Sequence, residues 1–223
     1  MARAGLIVLE GAEGVGKTTQ LRRLGERLGA LRIPHRLLRE PGGTEMGNVV
    51  RELLLDPAMA IASRAEALLF LASRAQLVES VVRPALAAGE YVILDRFFLS
   101  TYAYQVHGRG LPEREVLAIN GFATEGVTPD LTLLLDLPEG EGLQRAAGRG
   151  AHDRIERSGE EFHRRVTQAF RRFASADWQR DHPEAGEIAL VDARGSEDEV
   201  AERLWRRLAE RWPETFRGKV ESH

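Results

Sequence analysis

The chain has 223 residues and a formal net charge of −3, and 43% of its residues are hydrophobic. This length and apolar content suit one globular α/β domain with a sizeable core. The charge gives no global reason to expect a nucleic-acid partner, the absence of cysteine excludes disulfides and thiolate metal sites, and no apolar run approaches the ~20 residues of a membrane span. We therefore expect a cytoplasmic protein that binds neither nucleic acid nor a membrane.

Short apolar runs alternate with helix-length segments along the chain. The runs predict five buried parallel strands at Leu6–Glu10, Arg36–Arg39, Tyr91–Asp95, Leu131–Asp136 and Ile188–Val191. The predicted helices between them are Thr18–Leu31, Ser63–Ala88, Pro112–Glu125, Glu160–Trp178 and Ser196–Trp212, the last opened by a capping box. This order predicts a doubly wound α/β fold, a five-stranded parallel sheet flanked by helices, which binds ligands at the carboxyl ends of its strands.

We predict a single domain over residues 1–213, because no linker, repeat or low-complexity tract divides the chain. The segment from Glu214 to His223 is polar, and we expect it to fray.

A glycine-rich segment follows the first predicted strand directly. Residues 11–18 fit the pattern G-x-x-x-x-G-K-(S/T). Its glycines allow the backbone to turn successive N–H groups toward one phosphate, and the next helix adds the positive end of its dipole. The spacing predicts a P-loop NTPase-like fold in which Lys17 reaches the β- and γ-phosphates and Thr18 binds Mg²⁺. The predicted ATP-binding residues of this segment are Gly11, Ala12, Glu13, Gly14, Val15, Gly16, Lys17, Thr18 and Thr19.

The third predicted strand ends with Asp95, and Arg96 follows it. An aspartate at the carboxyl end of a strand beside a phosphate loop can hold Mg²⁺ through water, although a polar strand end without a ligand is also common. Arg96 would point into the same crevice, toward a phosphate. We predict Thr18 and Asp95 as the metal residues.

The motifs leave several classes of P-loop protein open. A GTPase switch needs Asn-Lys-x-Asp to read guanine, and neither Lys17 nor Lys219 lies in such a motif. Motors and transporter ATPases are usually larger. The size and the Asp95–Arg96 pair favour a small kinase, while a catalytically idle, nucleotide-dependent switch is the alternative from another class.

Several blocks of the sequence, in the right order, resemble bacterial thymidylate kinase over nearly the whole chain. The resemblance rests on Glu10–Thr18, Arg39–Thr44, Arg51–Asp56, Phe70–Arg74, Asp95–Gln105, Pro129–Asp136 and Asp153–Glu156. It implies transfer of the γ-phosphoryl group of ATP to dTMP with Mg²⁺, and a homodimer packed through long helices such as Ser63–Ala88. A kinase of the same group that acts on another monophosphate or on a deoxynucleoside is the nearest alternative.

The resemblance also implies roles in the acceptor site. Glu13 would accept a hydrogen bond from the deoxyribose 3′-hydroxyl, a task that explains a carboxylate placed beside phosphates. Phe70 and Arg74 share one helix face and would hold the thymine; without the resemblance, a core phenylalanine beside an arginine that reaches solvent is the better interpretation. The phosphate would be held by Arg51 and Arg96, and the base and sugar by Ser100, Thr101, Tyr104 and Gln105.

The segment of about 140–159 carries Arg145, Arg149, Arg154 and Arg157 between glycines. Such a segment is typical of a closing lid that brings cations to the γ-phosphate, and a solvated charged helix is the alternative. We predict Lys17, Arg96, Arg149 and Arg154 as catalytic residues. Arg145 and the loop after Val191 are candidates for contacting adenine.

Overall fold

A computed structural model describes residues 4–138, 140–142, 145 and 153–217. Its centre is a five-stranded sheet in which every strand is parallel to its neighbours, in the order β2-β3-β1-β4-β5. The strands are β1 Leu6–Glu10, β2 His35–Arg39, β3 Tyr91–Asp95, β4 Leu131–Asp136 and β5 Ile188–Asp192. The predicted doubly wound α/β fold is confirmed.

The register of the sheet brings the phosphate loop and the Asp95–Arg96 pair together. Leu9 in β1 lies opposite Asp95 in β3, so the segment that follows Glu10 begins beside the end of β3. The backbone N–H of Arg96 donates to the Leu9 carbonyl at 3.0 Å. Two segments more than 80 positions apart in the sequence therefore meet at the carboxyl ends of the central strands.

Helices cover both faces of the sheet. The first half of the chain contributes α1 Lys17–Ala30, α2 Glu45–Leu55, α3 Ser63–Leu77, a π-helical turn Val78–Val82, α4 Arg83–Ala87, α5 Phe98–Thr101 and a second π-helical segment Tyr102–Gly108. The second half contributes α6 Glu113–Thr124, α7 Glu160–Phe173, α8 Ala176–Asp181, a 3-10 turn Pro183–Ala185, α9 Glu197–Arg211 and α10 Pro213–Phe216.

Alternate residues of the central strands feed two hydrophobic cores, one on each face. Leu6 and Val8 pack with the core under α3 and α7, whereas Ile7 and Leu9 pack with the core under α1 and α9. All four side chains are fully buried. This arrangement explains why the strand sequence is apolar without alternation.

Two predicted boundaries are wrong. The helix predicted over Glu160–Trp178 breaks at Ser175, which adopts an extended conformation and accepts a hydrogen bond from the Trp178 N–H, so that it caps a separate α8. The predicted frayed tail does not begin at Glu214, because Phe216 is fully buried against Tyr91 and Trp205. The helix α2 and the segment 98–108 were not predicted.

Across the part of the chain that the structure describes, no helix has both the length and the apolar character needed to cross a bilayer. The cytoplasmic location expected from the sequence stays a prediction, and so does the single-domain boundary.

Candidate active site

The phosphate loop is an open turn between β1 and α1. Gly14 and Gly16 have φ angles of 76° and 95°, in the region that favours glycine. A Cβ on Gly14 would collide with the carbonyl of Gly142, because the backbone at Gly142 packs directly against Gly14. The side chain of Val15 is buried in the core and anchors the loop, whereas Gly14 and Gly16 line the cleft.

Lys17 lies folded across the loop. Its Nζ donates to the Gly11 carbonyl at 2.9 Å and to the Ala12 carbonyl at 2.8 Å. Burial lowers the pKa of Lys17 to about 8, and the nearby positive charge of Arg96 adds to this effect against the opposing attraction of Glu13 and Asp95. The hydrogen bonds of this buried ammonium go to neutral carbonyl oxygens, and burial outweighs the attraction of the nearby carboxylates, so an arriving anion would stabilise it.

Thr18 and Asp95 meet as predicted for a metal site. Thr18 Oγ1 donates to Asp95 Oδ2 at 3.2 Å, and Asp95 Oδ1 is buried without a hydrogen-bond partner among the described residues. An orphaned carboxylate oxygen beside a hydroxyl offers the oxygen ligands that Mg²⁺ prefers. The described residues include no cluster of three or more side chains that could hold a metal on their own, so phosphate oxygens and water would have to complete the shell.

Arg96 has a φ of 73°, which is strained for a residue with a side chain. Its guanidinium donates to Glu13 Oε1 at 2.6 Å and to Ser100 Oγ at 3.0 Å, and it lies 5.0 Å from the Tyr104 ring centroid. Burial opposes its charge, but Tyr104, Glu13 and Asp95 together raise its pKa above the ordinary value. The strained backbone thus directs a permanently charged guanidinium into the crevice.

The negative charge of Glu13 is compensated by two positively charged neighbours, Arg96 and Lys17. Burial alone would raise its pKa, yet Arg96, Lys17 and a hydrogen bond from Tyr104 Oη at 2.8 Å lower the pKa to about 2. The repulsion that a carboxylate beside phosphates would suffer is therefore offset within the free protein. No described residue donates to Glu13 Oε2, which leaves an acceptor for a hydroxyl.

One cleft of about 290 Å³ joins the phosphate loop to the predicted acceptor residues. Four arginines of the described residues line it, and three of them, Arg39, Arg51 and Arg96, come from different segments of the chain on the side of the phosphate loop and α2. Burial lowers the pKa of Arg51, and the neighbouring Arg39 and Arg96 lower it further. Of the predicted residues, the cleft is lined by Glu13, Gly14, Gly16, Lys17, Thr18, Thr19, Arg51, Phe70, Arg74, Asp95, Arg96, Ser100, Thr101, Tyr104 and Gln105.

Arg74 is more enclosed than the sequence suggested. Its guanidinium donates four hydrogen bonds, to Glu40, Thr101, Asn120 and the Phe97 carbonyl. Its Nη2 also lies 2.6 Å from Glu40 Oε2, and its side chain is 3% exposed. Donation to a base carbonyl therefore requires that one N–H be shared, and it stays a prediction. In this structure Arg74 lines the cleft and ties α3 to the segment after β3.

Two buried carboxylates near the cleft, Glu10 and Glu40, were not predicted as site residues from the sequence. Glu10 is fully buried and accepts hydrogen bonds from the Phe97 N–H at 2.7 Å and from the N–H and Oγ of Ser100. Glu40 pairs with Arg74, and burial raises its pKa against the opposing charge of that arginine. Each carboxylate lies at or just beyond the carboxyl end of a strand, and this position was the available signal that they belong to the site.

The structure does not bring Arg154 to the phosphate loop. Its Nη2 lies 2.7 Å from Glu66 Oε2, and its Nε donates to the Leu54 carbonyl at 2.8 Å. The fully buried carboxylate of Glu66 needs cationic partners, and Arg154 is one of them. The catalytic position predicted for Arg154 is thus not the position it has here. Arg149 lies outside the described residues.

A second cavity of about 250 Å³ adjoins the other side of the phosphate loop. Its walls include Gly16, Thr19 and Arg145, together with residues that follow β5, which are Ala193, Gly195, Ser196 and Glu197. Arg145 is exposed and forms an ion pair with Glu141 at 3.9 Å. The two candidates for contacting adenine therefore line the same cavity.

Comparisons with known proteins agree with this geometry. The family described as Thymidylate kinase matches residues 9–203. The chain is 48% identical to "Thymidylate kinase" of Deinococcus radiodurans, with 95% of this chain and 99% of the relative covered, and 45% identical to that of Carboxydothermus hydrogenoformans, with 89% and 93% covered. The crystal structure of thymidylate kinase from Ehrlichia chaffeensis superposes with a TM-score of 0.72 at 27% identity and covers 93% of this chain and 100% of the other. The chain belongs to the thymidylate kinase family.

Proposed function

We propose that the chain transfers the γ-phosphoryl group of ATP to dTMP and gives dTDP and ADP. The observation that carries this proposal is the single cleft, because it joins a phosphate loop, the Asp95–Arg96 pair and the aromatic wall at Phe70. Family membership and 48% identity over 211 residues support the same acceptor.

The donor side is built for a polyphosphate. The loop amides of residues 11–18 and the N-terminus of α1 receive the phosphates, and Lys17 exchanges its two carbonyl partners for β- and γ-phosphate oxygens. We assign the adenine to the second cavity, between Arg145 and Ser196.

The acceptor side needs charge and position rather than a base. A phosphate monoester has a second pKa of ~6 and is largely a dianion at neutral pH, so its oxygen attacks without giving up a proton. Arg39, Arg51 and Arg96 hold that phosphate at the mouth of the donor site. Their positive charges also spread the charge of the transferring group. Arg149 is expected to add a further cation when the lid closes, which also excludes water.

Thr18 Oγ1 and the Oδ1 of Asp95, which is unpaired within the described part of the chain, are suitable ligands for Mg²⁺. When bound, the ion supplies positive charge to the phosphate oxygens. Thr18 and Asp95 then fix where that charge lies relative to Lys17.

A homodimer is the assembly we propose. Apolar side chains are exposed on the adjacent helices α2, α3 and α6, and the most exposed of them are Val49 at 63%, Leu68 at 56% and Phe122 at 89%. A shared apolar patch on neighbouring helices is typical of a protein interface. Light scattering should give twice the chain mass for the native protein and a monomer mass for Leu68→Glu. A native monomer at micromolar concentration would contradict the proposal.

A coupled assay of ADP release tests the reaction itself. ATP with dTMP should give the highest kcat/KM, ahead of dUMP, UMP, dCMP, CMP and AMP, and Lys17→Ala should show no turnover. A higher kcat/KM for another monophosphate would move the chain to a different acceptor. Absence of transfer to every monophosphate, with ATP still bound, would favour a nucleotide-dependent switch.

A further inference from the structure

Glu66 lies behind the acceptor pocket, at the meeting point of three elements. It is 1% exposed and occupies α3 one turn before Phe70. Its Oε1 accepts from Arg109 Nε at 3.0 Å and from Gln105 Nε2 at 3.2 Å, and its Oε2 accepts from Arg109 Nη2 at 2.9 Å. Arg154 Nη2 lies 2.7 Å from the same Oε2. The carboxylate does not line the cleft, but one of its partners, Gln105, does.

The carboxylate is ionised in the folded protein. Burial opposes its charge, but hydrogen bonds and the positive charges of Arg109 and Arg154 hold the pKa of Glu66 below its ordinary value. An ionised carboxylate accepts hydrogen bonds and donates none. Whatever atom of Gln105 faces it must therefore be a donor.

This requirement fixes the amide of Gln105 in one of its two orientations. The NH₂ group must point toward Glu66, because the reversed amide would place its carbonyl oxygen against a carboxylate oxygen. Gln105 is 2% exposed, so it has little room for other arrangements. No described residue donates to its Oε1, which leaves that oxygen and one N–H of Nε2 for a ligand in the cleft.

A base that meets this amide edge must offer a donor to Oε1 and an acceptor to the N–H. Thymine offers its N3–H and O4 in adjacent positions, whereas cytosine offers an N3 acceptor and an N4 amino donor, the reverse pattern. We propose that Glu66 is a positioning residue that makes the acceptor site selective for pyrimidines of the thymine pattern over cytosine, by fixing the amide of Gln105. The proposal rests on the proposed function, since it takes the pyrimidine to lie against Gln105.

The test compares kcat/KM for dCMP with kcat/KM for dTMP in Glu66→Gln. A neutral amide at position 66 accepts and donates, so it permits both orientations of Gln105. We expect the dCMP/dTMP ratio to rise about ten- to hundredfold, the range that an unpaired buried polar group produces. Glu66→Asp keeps an acceptor-only group and should keep the ratio near that of the native enzyme, even if both rates fall.

A double-mutant cycle separates this role from a loss of structure. In a Gln105→Ala background, adding Glu66→Gln should leave the ratio unchanged, because no amide remains to be oriented. If Glu66→Gln does not fold, Glu66→Gln with Arg109→Gln serves the same comparison, since it removes one of the two cationic partners together with the carboxylate.

The outcomes are distinct. A ratio that stays constant in folded Glu66→Gln, while both rates fall by one factor, would overturn the role of Glu66 and leave the proposed function intact. A native enzyme that does not distinguish dTMP from dCMP would overturn the proposed function together with this proposal.

Discussion

Replacing Glu13 with glutamine removes the charge that joins the phosphate loop to Arg96. The ionised carboxylate accepts from Arg96 at 2.6 Å and from Tyr104 at 2.8 Å. Its pKa is about 2 in place of 4.5, which corresponds to ~3 kcal/mol in favour of the ionised form in the folded protein. Glutamine keeps an acceptor for Tyr104 but offers no charge to Arg96.

The sign of the pH dependence follows from the lowered pKa of Glu13. The stabilisation is fully present above pH 4.5 and is lost as the pH falls toward 2. We therefore expect the free energy of unfolding of Glu13→Gln, measured with urea at pH 7, to be lower than native by about 3 kcal/mol. The difference between the two proteins should shrink as the pH is lowered from 4.5 toward 2.

The same variant is informative in steady-state kinetics. Arg96 loses its charged partner and keeps its hydrogen bond to Ser100, so it is held less firmly at the acceptor site, and the acceptor loses its proposed 3′-hydroxyl contact. We expect kcat/KM for dTMP to fall about ten- to hundredfold, while KM for ATP changes by less than about threefold. Glu26→Gln is the matched control, because Glu26 pairs with Arg22 on the exposed face of α1 and such pairs contribute little.

Two results would refute this reasoning. A large rise in KM for ATP with normal use of dTMP would assign Glu13 to the donor nucleotide. Equal unfolding free energies for Glu13→Gln and native protein at pH 7 would mean that the pair with Arg96 does not hold the carboxylate ionised.

Three further predictions concern the loop, the lid and the core. We expect kcat/KM for ATP to be constant between about pH 7, where the phosphate monoester is largely a dianion, and pH 8, and to fall about tenfold per pH unit above it, since the pKa of Lys17 is about 8; a flat profile through pH 9.5 would contradict this. Arg149→Ala should lower kcat more than it raises KM, and a normal kcat would exclude the lid role. Phe216→Ala should lower the free energy of unfolding, measured with urea, by ~3–5 kcal/mol, because the ring is fully buried. An unchanged free energy of unfolding would mean that the tail frays from Glu214, as the sequence predicts.

The parts of the site that depend on local spacing could be predicted from the sequence. The phosphate loop is one short segment with fixed positions, and Asp95 is identified by the strand that it ends. The parallel sheet then brings the two together without further information, as the pairing of Leu9 with Asp95 shows. The predicted bounds of the strands also lie close to those in the structure, because buried strands are short and apolar.

The parts that depend on distant partners could not be predicted. Glu66 receives hydrogen bonds from Gln105 and Arg109 and an ion pair from Arg154, and no local pattern in the sequence links residues so far apart. For the same reason the sequence predicts Arg154 at the γ-phosphate, whereas in the structure the buried Glu66 pairs with it away from the phosphate loop. An arginine among glycines indicates a cation, but the position of that cation depends on the carboxylate that meets it in the fold.

The central claim is that one cleft holds a polyphosphate in the loop of residues 11–18 and a pyrimidine monophosphate against Phe70 at the same time. A crystal structure of the protein with a non-hydrolysable ATP analogue, Mg²⁺ and dTMP tests it most directly. We expect the triphosphate in hydrogen-bond contact with the loop amides and Lys17, and the thymine stacked on Phe70 with its N3–H on Gln105. A loop without phosphate, or a pyrimidine bound away from Phe70, would contradict the account.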